Sequence, residues 1–215
     1  MKKALVLAGS RGIGKGIADS LKDLGVDVDT TNSKTLDTSN IKMVNEYLLN
    51  IDSYDILVLN TGGPAAKDFM SIKEDEWNKY HDQLFLSFCL ILQNIKINDG
   101  GYIFLISSFN IKEPDPKLIL SNAYRIAFSS VFKSLSKKYA KRAVNCINIA
   151  PGPIKTDRLE ELVDNMEEFE KTLPMGRAGT SKEIGDFVKS IIENEVKYLS
   201  GVTINFDGAA SNSLF

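Results

Sequence analysis

Short, nearly continuous apolar runs alternate along the chain with longer stretches whose apolar residues recur at helical spacing. Ala4–Ala8, Val26–Thr30, Asp55–Leu59, Gly101–Ile106, Val144–Ile149 and Val202–Phe206 predict strands. Between them, Gly12–Leu24, Ile41–Asn50, Ile72–Ile97, Lys117–Tyr139 and Ser181–Asn194 predict helices. Two helix starts carry capping-box chemistry, Ser71 with Glu74 and Thr180 with Glu183. Strands apolar on both faces, each followed by a helix, belong to a parallel sheet covered on both sides, because the crossovers place helices there. The fold class is therefore α/β, a Rossmann-like doubly wound parallel sheet. Residues 1–215 form a single domain, with no repeat, low-complexity tract or linker to divide them.

Composition narrows the function classes. The chain has 26 Lys plus Arg against 28 Asp plus Glu, for a net charge of −2, and no polybasic run. Neither a nucleic-acid footprint nor an anionic membrane surface is expected. Cys89 and Cys146 are too few for a disulfide framework and have no metal-spaced neighbours; they read as buried small hydrophobes in a reducing, cytoplasmic setting. The apolar run Ala4–Ala8 stops at Gly9-Ser10-Arg11, short of a signal peptide, and Leu84–Leu92 is far short of a membrane span. No metal site is expected.

In open parallel sheets ligands bind beyond the carboxyl ends of the strands. After the first strand comes Ala8-Gly9-Ser10-Arg11-Gly12-Ile13-Gly14, running straight into a helix. Small residues there let the backbone approach a pyrophosphate, whose charge meets the helix N-terminus. Arg11 offers a cation beside a phosphate; its plain alternative is a solvated side chain.

This heptad resembles the Gly-rich signature of the short-chain dehydrogenase/reductase family, with Leu7 for its Thr and Ala8 for its first Gly. Leu59-Asn60-Thr61-Gly62 is similar to the family's Asn-Asn-Ala-Gly, Ile106-Ser107-Ser108 to the strand with its catalytic Ser, and Pro151-Gly152-Pro153-Ile154-Lys155-Thr156 to its Pro-Gly-x-Ile-x-Thr. Gly176–Gly179, Leu199–Gly201 and Asp207-Gly208 match its C-terminal signatures, so the resemblance spans residues 4–208. It implies NAD(P) lying across Ala8–Gly14, Asn60–Gly62 and the segment of Pro151, Gly152, Ile154 and Thr156, with Ile154 backbone and the Thr156 hydroxyl on the nicotinamide carboxamide. Asp37-Thr38 resembles the pair beside the adenine. After the second strand stands Thr31-Asn32-Ser33-Lys34, without the acid that holds ribose hydroxyls in NAD-selective folds. Asn32, Ser33, Lys34 and Arg11 instead suit a 2′-phosphate, favouring NADP over NAD. Only a few residues separate Thr30 from Asp37, so a helix and much of a strand usual in the family are missing.

The family's catalytic Asn, Ser, Tyr and Lys are not all present. Ser108 matches the Ser, but Ser121 stands at the Tyr position, Arg125 at the Lys position and Leu84 at the Asn position. A Ser hydroxyl is a far weaker acid than a phenol of pKa about 10. Arg125 stays charged, but it can bind ribose hydroxyls and polarise a carbonyl oxygen. Two routes remain open: the Tyr124 phenol covers the space of a Tyr at 121, or Ser108 and Arg125 act with water as proton source. His81 reads as structural, and Glu160, Glu161, Asp164, Glu167, Glu168 and Glu170 as a solvated helix face in a region that forms a flap in the family, with Met166 and Phe169 as apolar linings.

The expectation is an NAD(P)-dependent oxidoreductase for a small-molecule carbonyl/alcohol pair, resembling 3-oxoacyl-thioester reductases. Its rival is a cofactor-binding sensor or scaffold that has lost the acid. The resemblance also implies a homodimer or homotetramer through the long helices, with Ala209–Phe215 reaching a neighbouring subunit.

Overall fold

The computed structural model describes residues 1–214 of the chain. Its middle layer comprises β1 (Lys3–Val6), β2 (Asp27–Thr30), β3 (Ser53–Leu59), β4 (Lys96–Ile106) and β5 (Asn145–Pro151). A second, two-stranded sheet pairs β6 (Ile154–Lys155) with β7 (Gly179–Thr180), and β8 (Val202–Phe206) completes the main sheet. The main sheet is parallel throughout and runs β2-β1-β3-β4-β5-β8.

Alternation along each strand divides the core. Ala4, Val6, Ile56, Val58, Phe104 and Ile147 face α1 (Gly12–Asp23) and α8 (Ser181–Glu193), which contribute Ile17, Leu21, Ile184 and Val188. Leu5, Leu7, Leu57, Leu59, Ile103 and Leu105 face the other way. There they meet Val44 of α2 (Ile41–Leu48), Phe88 and Ile91 of α4 (Ser87–Asn94), and Phe128 and Phe132 of α5 (Ile119–Ala140). Helices thus cover both faces, as expected for a doubly wound sheet. Glycines let α1 and α8 approach closely: a Cβ on Gly16 would stand 2.2 Å from the Ser181 carbonyl oxygen, and one on Gly185 2.3 Å from that of Gly16.

The missing segment leaves a visible mark. Residues 31–40 contain turns only, and β2 is an edge strand. That edge carries charge, Asp29 pairing with Lys3 at 3.3 Å and accepting from the Tyr54 hydroxyl at 2.9 Å. Charged edge strands resist pairing with a further chain.

Several boundaries differ from the sequence reading. The stretch expected as one helix, Ile72–Ile97, is α3 (Glu74–His81), a π-helical turn at Asp82–Leu86, and α4. Ser71 does not cap it, because Phe69–Ser71 forms a separate 3-10 turn opened by the Asp68 carboxylate. The Ser71 hydroxyl donates to the Asp68 carbonyl, and the Glu76 carboxylate accepts from the Lys73 N–H at 3.1 Å instead. Thr180 and Glu183 do form the expected reciprocal box. β4 begins five residues before Gly101, since Lys96 and Ile97 already pair with Ser53 and Tyr54. The acidic stretch breaks into α6 (Asp157–Glu160) and α7 (Met166–Thr172). Among the described residues, no helix is long and apolar enough to cross a membrane.

Candidate active site

The Gly-rich turn follows β1, its geometry enforced by close packing. Ala8 is left-handed at φ 48° and donates its N–H to the Thr31 hydroxyl at 3.1 Å, and the Gly9 N–H donates to the Thr31 carbonyl at 2.9 Å. A Cβ on Gly9 would meet Thr30 at 2.8 Å, and one on Gly14 the Ala8 carbonyl oxygen at 2.3 Å. Gly12 has φ 53°, and the Thr156 methyl stands 3.5 Å from where its Cβ would be, so Thr156 lies beside the turn. Asn60 joins from β3, its amide donating to the Leu7 carbonyl at 3.3 Å. Arg11 occupies the N-cap of α1 in an extended conformation, and no side chain among the described residues caps that end. Ser10 and Arg11 are exposed. The first-turn N–H groups have no partners within the helix and are available to an anion. The residues fit a dinucleotide: a close-approach turn, an uncapped helix start, and Asn60 and Thr156 on either side.

In the turn after β2, where the resemblance implies the adenine end, the Asn32 side-chain oxygen accepts from the Lys34 and Thr35 N–H groups at 2.9 and 3.3 Å, which fixes the turn and commits that oxygen. Ser33 and Lys34 are exposed beside it. Asp37 holds its own turn, accepting from the Ser39 N–H and hydroxyl. Thr38 and Thr61 share a hydroxyl–hydroxyl bond of 2.8 Å, which ties this end to the loop after β3.

The elements that carry the candidate catalytic residues converge on Arg125. Its Nε–H donates to the Ser121 hydroxyl at 3.1 Å, one terminal nitrogen donates to the carbonyls of Ile106 and Ser107 at 3.0 and 3.3 Å, and the other to that of Thr61 at 3.3 Å. The guanidinium therefore links α5, the end of β4 beside Ser108, and the loop after β3. Burial pushes its pKa down to about 10, and the nearby Arg158 adds to the shift; it remains a cation at neutral pH. No carboxylate among the described residues pairs with it; its charge is met by carbonyl dipoles. Behind it, Leu84, Phe88, Leu105, Ser107 and Phe128 line a pocket without room for a water molecule. Ser108 has extended backbone, and its Oγ accepts from the Asn110 N–H at 3.2 Å, leaving its own hydrogen to donate.

Tyr124 does not join this group. Its hydroxyl donates to the Trp77 carbonyl at 3.1 Å, and its ring packs edge-on against Trp77 and His81. Burial and Asp82 raise its pKa, making it a weaker acid. The route through Tyr124 is thus disfavoured by a bond that holds the phenol on α3.

The His81 ring packs against Phe85 in a tilted arrangement and lies 3.1 Å from Asp82. Burial pushes up both thiols, that of Cys146 to about 12. Glu160, Glu161, Asp164, Glu167 and Glu168 are exposed, while Glu170 is half-buried and accepts from the Ala178 N–H at 3.0 Å. Met166 and Phe169 are half-buried. Within the tail, Ser211 donates to Glu113 of its own chain at 2.9 Å, and Phe215 lies outside the described residues. A more open concavity of about 290 Å³, between Lys2, Gly25 and Glu195, lies at the amino ends of the strands, away from every residue above.

Sequence reasoning missed two contributors. Arg158 of α6 donates to the Pro64 carbonyl, tethering the flap to the loop after β3. Gln83, in the π-helical turn, donates to the Gly62 carbonyl at 3.0 Å. Neither belongs to a motif; only the tertiary arrangement brings them in.

Comparison with known proteins places these features. The family model for enoyl-(acyl carrier protein) reductase matches residues 29–210. The chain is 29% identical to the 3-oxoacyl-[acyl-carrier-protein] reductase FabG of Chlamydia muridarum, with 96% of each covered. That alignment runs over 241 positions, more than the 215 residues here, as a shortened member requires. Among solved structures, a short-chain dehydrogenase family protein from Francisella tularensis superposes with a TM-score of 0.85 at 20% identity, covering 99% of this chain and 100% of that one. A small-chain dehydrogenase in complex with NADPH gives 0.84 at 24% identity, with 97% and 98% covered. With the sheet order, the Gly-rich turn and the Ser108 strand end already in place, the chain belongs to the short-chain dehydrogenase/reductase family.

Proposed function

We propose that the protein is an NADP(H)-dependent oxidoreductase acting on a small carbonyl/alcohol pair, of the 3-oxoacyl-thioester kind that its FabG relatives are named for. The observation that carries this reading is the Arg125 guanidinium, half-buried and without a carboxylate partner, where the loop after β3 meets the Ser108 strand end. A cation so placed stabilises negative charge developing on a carbonyl oxygen, and desolvation strengthens it. When bound, NADPH supplies a hydride to the carbonyl carbon. Ser108 holds the oxygen with its free O–H. Ser121, already accepting from Arg125, turns its own hydrogen outward as a polarised donor. Neither hydroxyl is a sufficient acid, so the proton that the oxygen takes up comes from bulk solvent, relayed through water.

Support for the cofactor comes from the cradle around Gly9, Gly12 and Gly14 and from the NADPH-bound structural relative. The sensor reading has one observation in its favour: each of the three Arg125 nitrogens already donates to a hydroxyl or carbonyl of the protein, which competes with a substrate oxygen for them. Calorimetric titration with NADPH and NADH, followed by NADPH oxidation with a panel of 3-oxoacyl thioesters and ketones, separates the two. The enzyme reading expects turnover that falls about 100-fold or more in Arg125→Ala, the scale of losing one oxyanion donor. NADPH binding without turnover on any carbonyl favours the sensor. The same reading expects a homodimer or homotetramer through α4 and α5, checked by light scattering.

A further inference from the structure

Where the family carries its helix Asn, this chain has Leu84, 1% exposed among Phe88, Leu105 and Phe128. The polar side chain at this level of the helix is the preceding residue. Gln83 lies in the π-helical turn, closed by the Ser87 N–H donating to the Asp82 carbonyl five residues back, and the Ser87 hydroxyl adds a bond to the Gln83 carbonyl at 3.0 Å. Such turns add a residue to the helical ladder and so re-aim the side chains around them.

The Gln83 amide points onto the loop after β3. It donates to the Gly62 carbonyl at 3.0 Å and lies 3.4 Å from the Thr61 hydroxyl. That hydroxyl is bonded to Thr38, and the Thr61 carbonyl accepts from Arg125. Three elements therefore hold the loop: the adenine-side turn, the π-helical turn and α5. The loop needs holding, because Gly62 and Gly63 are consecutive and Gly-rich backbone loses much entropy on being fixed. Its other flank, Asn60, abuts the Gly-rich turn.

We propose that Gln83 is a positioning residue for the dinucleotide, holding the Asn60–Gly62 loop in its cofactor-ready shape. It acts through the loop and touches no reacting atom. The inference rests on the cofactor reading above and adds a specific residue to it.

The test measures NADPH affinity in the native chain and in three variants. Gln83→Ala removes the side chain, Gln83→Met keeps length and helix propensity without a donor, and Gln83→Glu keeps the shape but sets a carboxylate against the Gly62 carbonyl. Ala and Met are expected to weaken NADPH binding about 2- to 10-fold, the net worth of one hydrogen bond, and Glu to weaken it more. Their melting points without cofactor should match that of Gln93→Ala, an exposed site on α4. With a turned-over carbonyl, the KM for NADPH rises while kcat stays within about twofold. Because both residues meet at Thr61, combining Gln83→Met with Thr38→Val should cost less than the two single losses together. Native affinity in Gln83→Met and Gln83→Glu overturns the inference and leaves the cofactor reading standing. So does a loss of melting temperature without a loss of affinity. A native chain that binds no NADPH overturns both.

Discussion

A phenol three residues beyond position 121 is displaced about 60° around the helix, and that angle decides what it touches. From Ser121 a side chain reaches Arg125; from position 124 it reaches the Trp77 carbonyl. Helical spacing alone put the two on roughly one face, but it carries no information on which neighbour holds the hydroxyl. Tyr124→Phe is therefore expected to leave kcat within about twofold and to lower stability by roughly 1 kcal/mol, the worth of one hydrogen bond. Steady-state assays and urea melts check both, and a tenfold loss of kcat would restore the phenol as the proton donor. By contrast, the places of the Gly-rich turn, Asn60 and Ser108 were legible in the sequence, because each closely follows a strand whose end the apolar pattern fixes, while Thr156 was marked by its motif alone. Gln83 was not, since the apolar pattern runs on unbroken through the π-helical turn that aims it.

At the scale of elements, contacts between helices decide more than the helices' own preferences. Gly16 would gain helix propensity as Ala, but the added Cβ would lie 2.2 Å from the Ser181 carbonyl oxygen, a backbone atom with nowhere to go. Gly16→Ala is expected to destabilise by about 1–3 kcal/mol in chemical denaturation, the usual penalty for overpacking. A neutral or stabilising result would mean that α1 and α8 can separate without cost. The start of α8 offers a second test. Arg177, with the Thr180 N–H and hydroxyl, holds the Glu183 carboxyl down at about 2. A depressed carboxyl pKa adds stability above the unfolded value, near 4.5, and that contribution fades as pH falls through the interval toward 2. The native chain should therefore melt above Glu183→Gln at pH 6, with the gap narrowing from pH 4.5 downward. Much of the carboxylate is exposed, so the gap is expected to be small and reduced by salt. A gap independent of pH would assign the effect to helix capping alone. Thr180 and Glu183 were readable from spacing, whereas the Ser71 cap failed because Asp68 had already started a competing turn.

For the whole molecule, the consequential event is a deletion. Without the family's helix and strand after β2, the sheet ends at β2 and that edge is bounded by the turns of residues 31–40, where the proposed reading puts the adenine. The sequence announced the loss through the short distance from Thr30 to Asp37, but not its result, that Asn32 would serve the turn. With Asn32's oxygen on the Lys34 and Thr35 N–H groups, a 2′-phosphate bound at this turn in the proposed reading would meet exposed cations, Lys34 and Arg11. Contacts of this kind are charge-assisted but open to water, and salt screens them. Lys34→Ala is accordingly expected to weaken NADPH binding about 3- to 10-fold while leaving NADH within about twofold. The native preference for NADPH should itself shrink between 50 mM and 500 mM salt. Parallel calorimetric titrations of both cofactors at the two salt levels check this. If Lys34→Ala weakens NADH as much as NADPH, the side chain supports the turn rather than the phosphate. A preference that withstands salt would place the phosphate against buried groups, and the shortened edge would then be less open than its turns imply.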